Sequence, residues 1–182
     1  MVLHLVRHAE AQFGEASDPP LSQNGVEQAE RLARSLGGLG VDLVVHGPAQ
    51  RARQTAAVIG SILGPLRVDE SDLARDRTPF PDDGDEAYSR HARDWLDAAP
   101  LEERDPGGRA LTAACSTLLA TSDGRSVVVV THAYVVAWCV AHALGAPEDA
   151  WLRLPVDNAS MTTLDRNSRG ELIVRRFNAT SI

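Results

Sequence analysis

Arg7, His8, Arg51 and His132 are the side chains in this sequence whose types suit one shared reaction. Two guanidiniums hold a phosphate or a carboxylate bidentately, and an imidazole beside them attacks or protonates. Paired histidines also suit a metal. Two fixed positive charges next to the imidazoles would repel a cation, and no flanking acidic cluster clearly offsets them, so no metal or cofactor is expected.

The four residues stand where apolar runs stop. Val2, Leu3, Leu5 and Val6 precede Arg7 and His8; VDLVVH at 41–46 leads through Gly47-Pro48 to Arg51; SVVVVT at 126–131 delivers His132. Such short, β-favouring runs read as strands buried on both faces of a parallel sheet. Ligands bind outside the carboxyl ends of strands in open α/β sheets, so all four residues are expected to share one crevice.

Ser22 is the expected N-cap of a helix to about Leu36, with Val26, Ala29, Leu32, Ala33 and Leu36 on its apolar face. A second helix is expected from about Gln50 to Leu63, burying Ala52, Ala56, Val58, Ile59 and Ile62, before a short strand at Leu66 to Val68. The loop at 11–21 should run over the mouth of the site, and 69–85 reads as an irregular excursion beside it. Helices are expected near 85–98, 108–121 and Ala133 to Leu144, with a polar turn containing Pro100 and Pro106 between the first two. The segments 159–165 and 171–177 read as edge strands joined by a hairpin turn at Asn167 to Gly170. The whole, residues 1–182, reads as a single α/β domain: a three-layer sandwich with a mainly parallel central sheet and helices on both faces.

LVRHAE, QRARQTA and VVTHAYVV, in that order, resemble the conserved segments of the histidine phosphatase superfamily, also called the phosphoglycerate mutase-like family. The resemblance spans most of the chain. It implies that family's fold and a phosphohistidine intermediate at His8, with Arg7 and Arg51 binding nonbridging phosphoryl oxygens and His132 adding a donor. Adjacent guanidiniums should keep His8 unprotonated near neutral pH. The departing alkoxide needs a proton, and the family often supplies it from a glutamate in an LxE segment; here the chain reads DLARDRTPFPDD. Asp76 is the first choice for that acid, with Asp72 and Glu10 behind it. Three further positions depart from the family pattern: Ala9 replaces a glycine, Gly14 stands at a common asparagine and Gly47 at a common serine. His46 is read as finishing its strand, and Asn158-Ala159-Ser160, which resembles a late NAS segment of the family, as supporting structure. His4, His91 and His142 read as structural, and Arg75, Arg77, Arg90 and Arg93 as solvated or lining the substrate entrance.

A net charge of −7 and a pI of 5.3 argue against nucleic-acid or anionic-membrane partners. The absence of lysine excludes a Walker-type loop and lysine Schiff-base chemistry. Cys115 and Cys139 read as buried reduced thiols, and no signal peptide or bilayer-spanning stretch is recognised, so a cytoplasmic enzyme is expected. The expected activity is hydrolysis of a phosphomonoester on a small phosphorylated metabolite. The alternatives are a phosphohistidine protein phosphatase acting on phosphoproteins, a phosphoglycerate mutase-type phosphotransferase, and a phosphate-binding module without turnover. Substrate identity and oligomeric state leave no signature in the chain.

Overall fold

The computed structural model describes residues 2–14, 17–82, 88–122 and 124–180. Its centre is a six-stranded sheet in the order β3-β2-β6-β1-β7-β8, formed by β1 (Val2–Arg7), β2 (Leu43–His46), β3 (Arg67–Glu70), β6 (Ser126–Thr131), β7 (Met161–Arg166) and β8 (Leu172–Ala179). The pairs β3–β2, β2–β6 and β6–β1 are parallel, whereas β7 runs antiparallel to β1 and to β8.

Alternation along the strands divides their apolar side chains between two cores. Val6, Val44, Val128 and Val130 face α1 (Gln23–Leu36) and α2 (Gln50–Leu63). Leu3, Leu5, Val45, Val127 and Val129 face α4 (Arg109–Thr121) and α5 (Ala133–Ala143). Both faces of the inner strands are therefore dry, which is why they read as nearly continuous apolar runs. α1 begins where expected, with Ser22 Oγ accepting from the Gly25 N–H at 2.9 Å. On α2 the buried face is Ala52, Thr55, Ala56 and Ile59; Ile62 is exposed, and Thr55 takes part in the core through hydrogen bonds.

Other expectations need correction. The third strand lies slightly later than Leu66 to Val68. β7 is interior, paired on both sides, and of these two segments β8 alone is an edge strand. Met161, Thr162, Thr163 and Leu164 of β7 are all buried, since Met161 packs into one core and Leu164 into the other while β1 and β8 cover the two long edges. The excursion at 69–85 contains a 3₁₀ turn, Asp72–Ala74, and β4 (Thr78–Phe80); the polar turn after Pro100 contains a second 3₁₀ turn and β5 (Arg104–Pro106). β4 and β5 pair with each other in parallel, a contact between distant segments that local composition does not announce. Residues 83–87 lie outside the described residues, so the start of the helix expected at 85–98 does too; α3 spans Arg90–Leu96. Among the described residues no helix is long and apolar enough to cross a membrane.

Candidate active site

The register of β1 on β6 pairs Arg7 with Thr131, so the next residue on each strand, His8 and His132, leaves the sheet side by side. Their rings meet edge to face with centroids 5.1 Å apart. β2 ends one position earlier, at His46 opposite Val130, and Gly47 to Ala49 carry the chain to Arg51 in the first turn of α2. That turn has no side-chain cap of its own. Asp18, from the loop at 11–21, accepts from the Gln50 N–H at 2.9 and 3.1 Å and lies 3.5 Å from Arg51 Nη1. The loop thus reaches the site; its residues 15 and 16 lie outside the described residues.

His8 Nδ1 lies 2.8 Å from the Ala9 carbonyl, an acceptor, which assigns the ring proton to Nδ1. Nε2 is then the bare nitrogen, and Arg51 Nε–H donates to it at 3.2 Å. Burial pushes the imidazole's pKa down to about 3; the Ala9 carbonyl opposes this, and His132, Arg51 and Arg7 add to it. The guanidiniums therefore help keep His8 neutral, but desolvation is the larger cause.

Thr55 Oγ1 accepts from the Ala9 N–H and donates to the Arg51 carbonyl, tying the segment after β1 to the start of α2. Asn158 Nδ2 donates to the His8 carbonyl at 3.0 Å, and the Ala159 N–H reaches the carbonyls of Arg7 and His8. Ala159 holds φ 53° to make that approach. The late NAS segment is the clamp under the strand end. Arg7 Nη1 donates to the Val156 carbonyl at 2.6 Å, while its Nε is buried without a partner among the described residues.

Asp76 joins the cluster. Its Oδ2 accepts from Arg51 Nη2 at 2.9 Å and lies 2.9 Å from His132 Nδ1. An Nδ1–H on His132 leaves Nε2, a buried atom with no partner among the described residues, for a ligand. Burial pushes the Asp76 carboxyl up, but the hydrogen bond from His132 and the charges of His132, Arg51 and His8 outweigh it and leave it below its ordinary value.

The other acid candidates are not brought in. Asp72 is exposed and paired with Arg75 and Arg77. Glu10 accepts from Ser22 Oγ at 2.6 Å and Asn24 Nδ2 at 2.9 Å at the start of α1. Gly47 has a packing reason: a Cβ there would lie 2.3 Å from the Ala74 carbonyl, two residues before Asp76. His46 finishes β2 with Nδ1 2.8 Å from the Gly47 carbonyl, and His4 sits inside β1 with Nδ1 3.0 Å from Thr163 Oγ1.

Arg7, His8, Asp76 and His132 floor a cleft of about 730 Å³ whose walls carry Trp95, Tyr134, Trp151 and the segment Leu152 to Val156. Asp76 also borders a smaller cleft of about 260 Å³ with Asp18, Arg51, Arg75 and Glu103. Sequence reading missed Glu103, whose carboxyl is pushed up by burial and by the charge of Asp76. It lies on the second 3₁₀ turn, where nothing local marks it. Tyr134 was findable, two residues after the strand-end His132 on the first turn of α5.

The profile of the histidine phosphatase superfamily (branch 1) matches residues 3–179. This chain belongs to that superfamily. As a histidine phosphatase it is similar to the "Adenosylcobalamin/alpha-ribazole phosphatase" of Escherichia coli, 26% identical over 93% of this chain and 92% of the relative. The crystal structure of a putative alpha-ribazole-5'-P phosphatase from E. coli superposes with a TM-score of 0.75 and 26% identity, covering 100% of this chain and 98% of that one. The mouse "Serine/threonine-protein phosphatase PGAM5, mitochondrial" is 27% identical over 98% of this chain, which spans only 62% of that relative's length.

Proposed function

We propose that this histidine phosphatase hydrolyses phosphomonoesters of small metabolites in two steps through a phosphohistidine at His8. The observation that carries the reading is the state of His8: its proton is on Nδ1, bound to the Ala9 carbonyl, and its bare Nε2 lies 3.2 Å from Arg51 Nε. A neutral, oriented imidazole at the carboxyl end of a parallel sheet is a nucleophile held ready.

In the first step the Nε2 lone pair forms a bond to phosphorus as the ester P–O bond breaks in line. Arg51 Nε–H passes from His8 to a phosphoryl oxygen, Arg7 binds a second, and His132 acts as the imidazolium, its Nδ1–H on Asp76 and a second proton on Nε2 donated where charge shifts during transfer. The Nδ1–H bond to Ala9 stabilises the positive charge that develops on the ring.

Asp76 is the proposed proton carrier. Paired with Arg51 it is a carboxylate, which donates poorly. A bound phosphoryl group takes over Arg51 and sets negative charge beside Asp76, and both changes raise its affinity for a proton. The carboxylic acid then protonates the leaving alkoxide. In the second step the carboxylate takes a proton from water, the resulting hydroxide attacks phosphorus, and the P–N bond breaks to release inorganic phosphate.

Residues 1–182 are read as one domain, because both helical layers pack on a single sheet, and the location as cytoplasmic, in keeping with the free buried thiols of Cys115 and Cys139. The likeness to a serine/threonine-protein phosphatase supports a second reading, a phosphoprotein substrate. The test is a rapid denaturing quench with a ³²P-labelled phosphomonoester, since phosphohistidine survives alkali. Alkali-stable label on His8, lost together with turnover in His8→Ala, is the expected result. Turnover with no label on His8 would overturn the mechanism, and phosphate released from a phosphopeptide but from no small ester would select the second reading.

A further inference from the structure

A phosphoryl group fills only part of the larger cleft, whose volume of about 730 Å³ is in the range that holds a whole small molecule. Beyond the floor, the wall is aromatic and braced from behind. Trp151 is buried, and its indole N–H donates to the Tyr88 hydroxyl at 3.0 Å. Tyr134 packs edge-on against Trp151 at 5.2 Å between centroids, and Trp95 packs edge-on against Tyr134 at 5.7 Å. Trp95, the outermost of the three, is 47% exposed, on the short α3. An indole fixed by its neighbours yet open to the cleft is a preformed surface for a flat ring.

The charges of the cleft point the same way. Of its lining arginines, Arg7 belongs to the floor and Arg153 is held bidentately by Asp149 at 2.7 and 3.0 Å. Among the described residues, a leaving group carrying its own carboxylate would find no cation along this wall other than these two, and the sequence has no lysine to offer one. Burying an unpaired charge there is unfavourable, whereas an uncharged ring meets indole, phenol and aliphatic surface.

We propose, resting on the phosphatase reading, that Trp95 and Tyr134 form a subsite for an uncharged, planar aromatic or heteroaromatic ring on the alcohol half of the substrate. Phosphomonoesters of ring-bearing alcohols are then preferred over phosphorylated hydroxy acids and amino acids. Trp95 is the specificity-determining contact, because its exposed ring has a face to give.

The experiment compares kcat/KM for four esters whose reacting carbon is alike or nearly so: 3-phenylpropyl, 3-cyclohexylpropyl and propyl phosphate, and 3-phosphoglycerate. The expected order places phenylpropyl about tenfold or more above propyl, from buried apolar area, and about threefold or more above cyclohexylpropyl, from ring-on-ring contact. The phenylpropyl-to-propyl ratio should collapse toward unity in Trp95→Ala and be largely restored in Trp95→Phe. Equal rates for phenyl and cyclohexyl esters, a ratio unmoved by Trp95→Ala, or a preference for 3-phosphoglycerate would each overturn the subsite. Titration calorimetry with 3-phenylpropylphosphonate and propylphosphonate reads the same preference without turnover. An enzyme that binds the phenyl compound tenfold more tightly but hydrolyses nothing would keep the subsite and reject the phosphatase reading. Turnover of every ester with no ring preference would do the reverse.

Discussion

The floor of the larger cleft and its wall are built by different means. The floor is delivered by strand ends: once β1 and β6 pair in parallel register, His8 and His132 must emerge as neighbours, and Arg51 follows β2 by a short turn. The wall comes from α3, the first turn of α5 and the 3₁₀ stretch Glu148–Arg153, whose Trp95, Tyr134 and Trp151 meet in ring contacts. A reaction fixed by the sheet can therefore be kept while the surface that selects its substrate is exchanged.

If the floor carries the chemistry, the largest loss comes from His8→Ala, which should lower turnover by at least ~10³-fold on every ester and abolish the trapped label. Retained turnover would break the division at its centre. Next, Asp76→Asn should cost ~10² to 10⁴ in kcat/KM on alkyl phosphates. It should cost far less on nitrophenyl phosphate, whose leaving group scarcely needs a proton; equal losses on both would count against proton transfer by Asp76.

The precision of the floor can be tested through Gly47. Gly47→Ser restores the residue many family members carry, but its Cβ would meet the Ala74 carbonyl at 2.3 Å. The expected cost is ~1–3 kcal/mol of stability by urea denaturation, with lower kcat as Asp76 is displaced. A variant as stable and active as the parent would show that the segment from Ala74 to Asp76 is not held by this contact.

The smallest effects concern pH. His4 is held down to about 4 by burial, with Arg176 adding to it, and His8 to about 3. An unfolded histidine takes its proton near 6.5 while these two remain neutral, so each contributes stability above that pH that is lost as pH falls toward its folded value. For His4 the loss between pH 7 and 4.5 is on the order of 2 kcal/mol. His4→Gln should flatten the fall in urea midpoint over that interval; an unchanged slope would show that His4 is charged in the folded protein.

How much of this was legible follows the same division. The apolar runs ending in Arg7-His8, His46 and His132 announced their own strands, because a buried parallel strand must be apolar on both faces. Ser22 announced α1 by its capping chemistry. Asp76 was legible only as a polar residue in an irregular segment. What singles it out over Asp72 and Glu10 is that the turn at Asp72–Ala74 aims Asp76 at Arg51 and His132, while Asp72 and Glu10 find other partners. β4 pairing with β5, Glu103 beside Asp76 and Asp18 capping α2 join residues more than 25 positions apart.

The sequence by itself determined the layer order, the strand ends and the identity of the groups proposed to handle phosphate, since these depend on hydrophobic period and residue type within a few positions. Tertiary structure alone decided which carboxylate joins them, that burial more than neighbouring charge keeps His8 neutral, and that three aromatic rings from separate segments line one cleft. Those properties depend on distance and solvent exclusion, which come into being only when remote segments pack together.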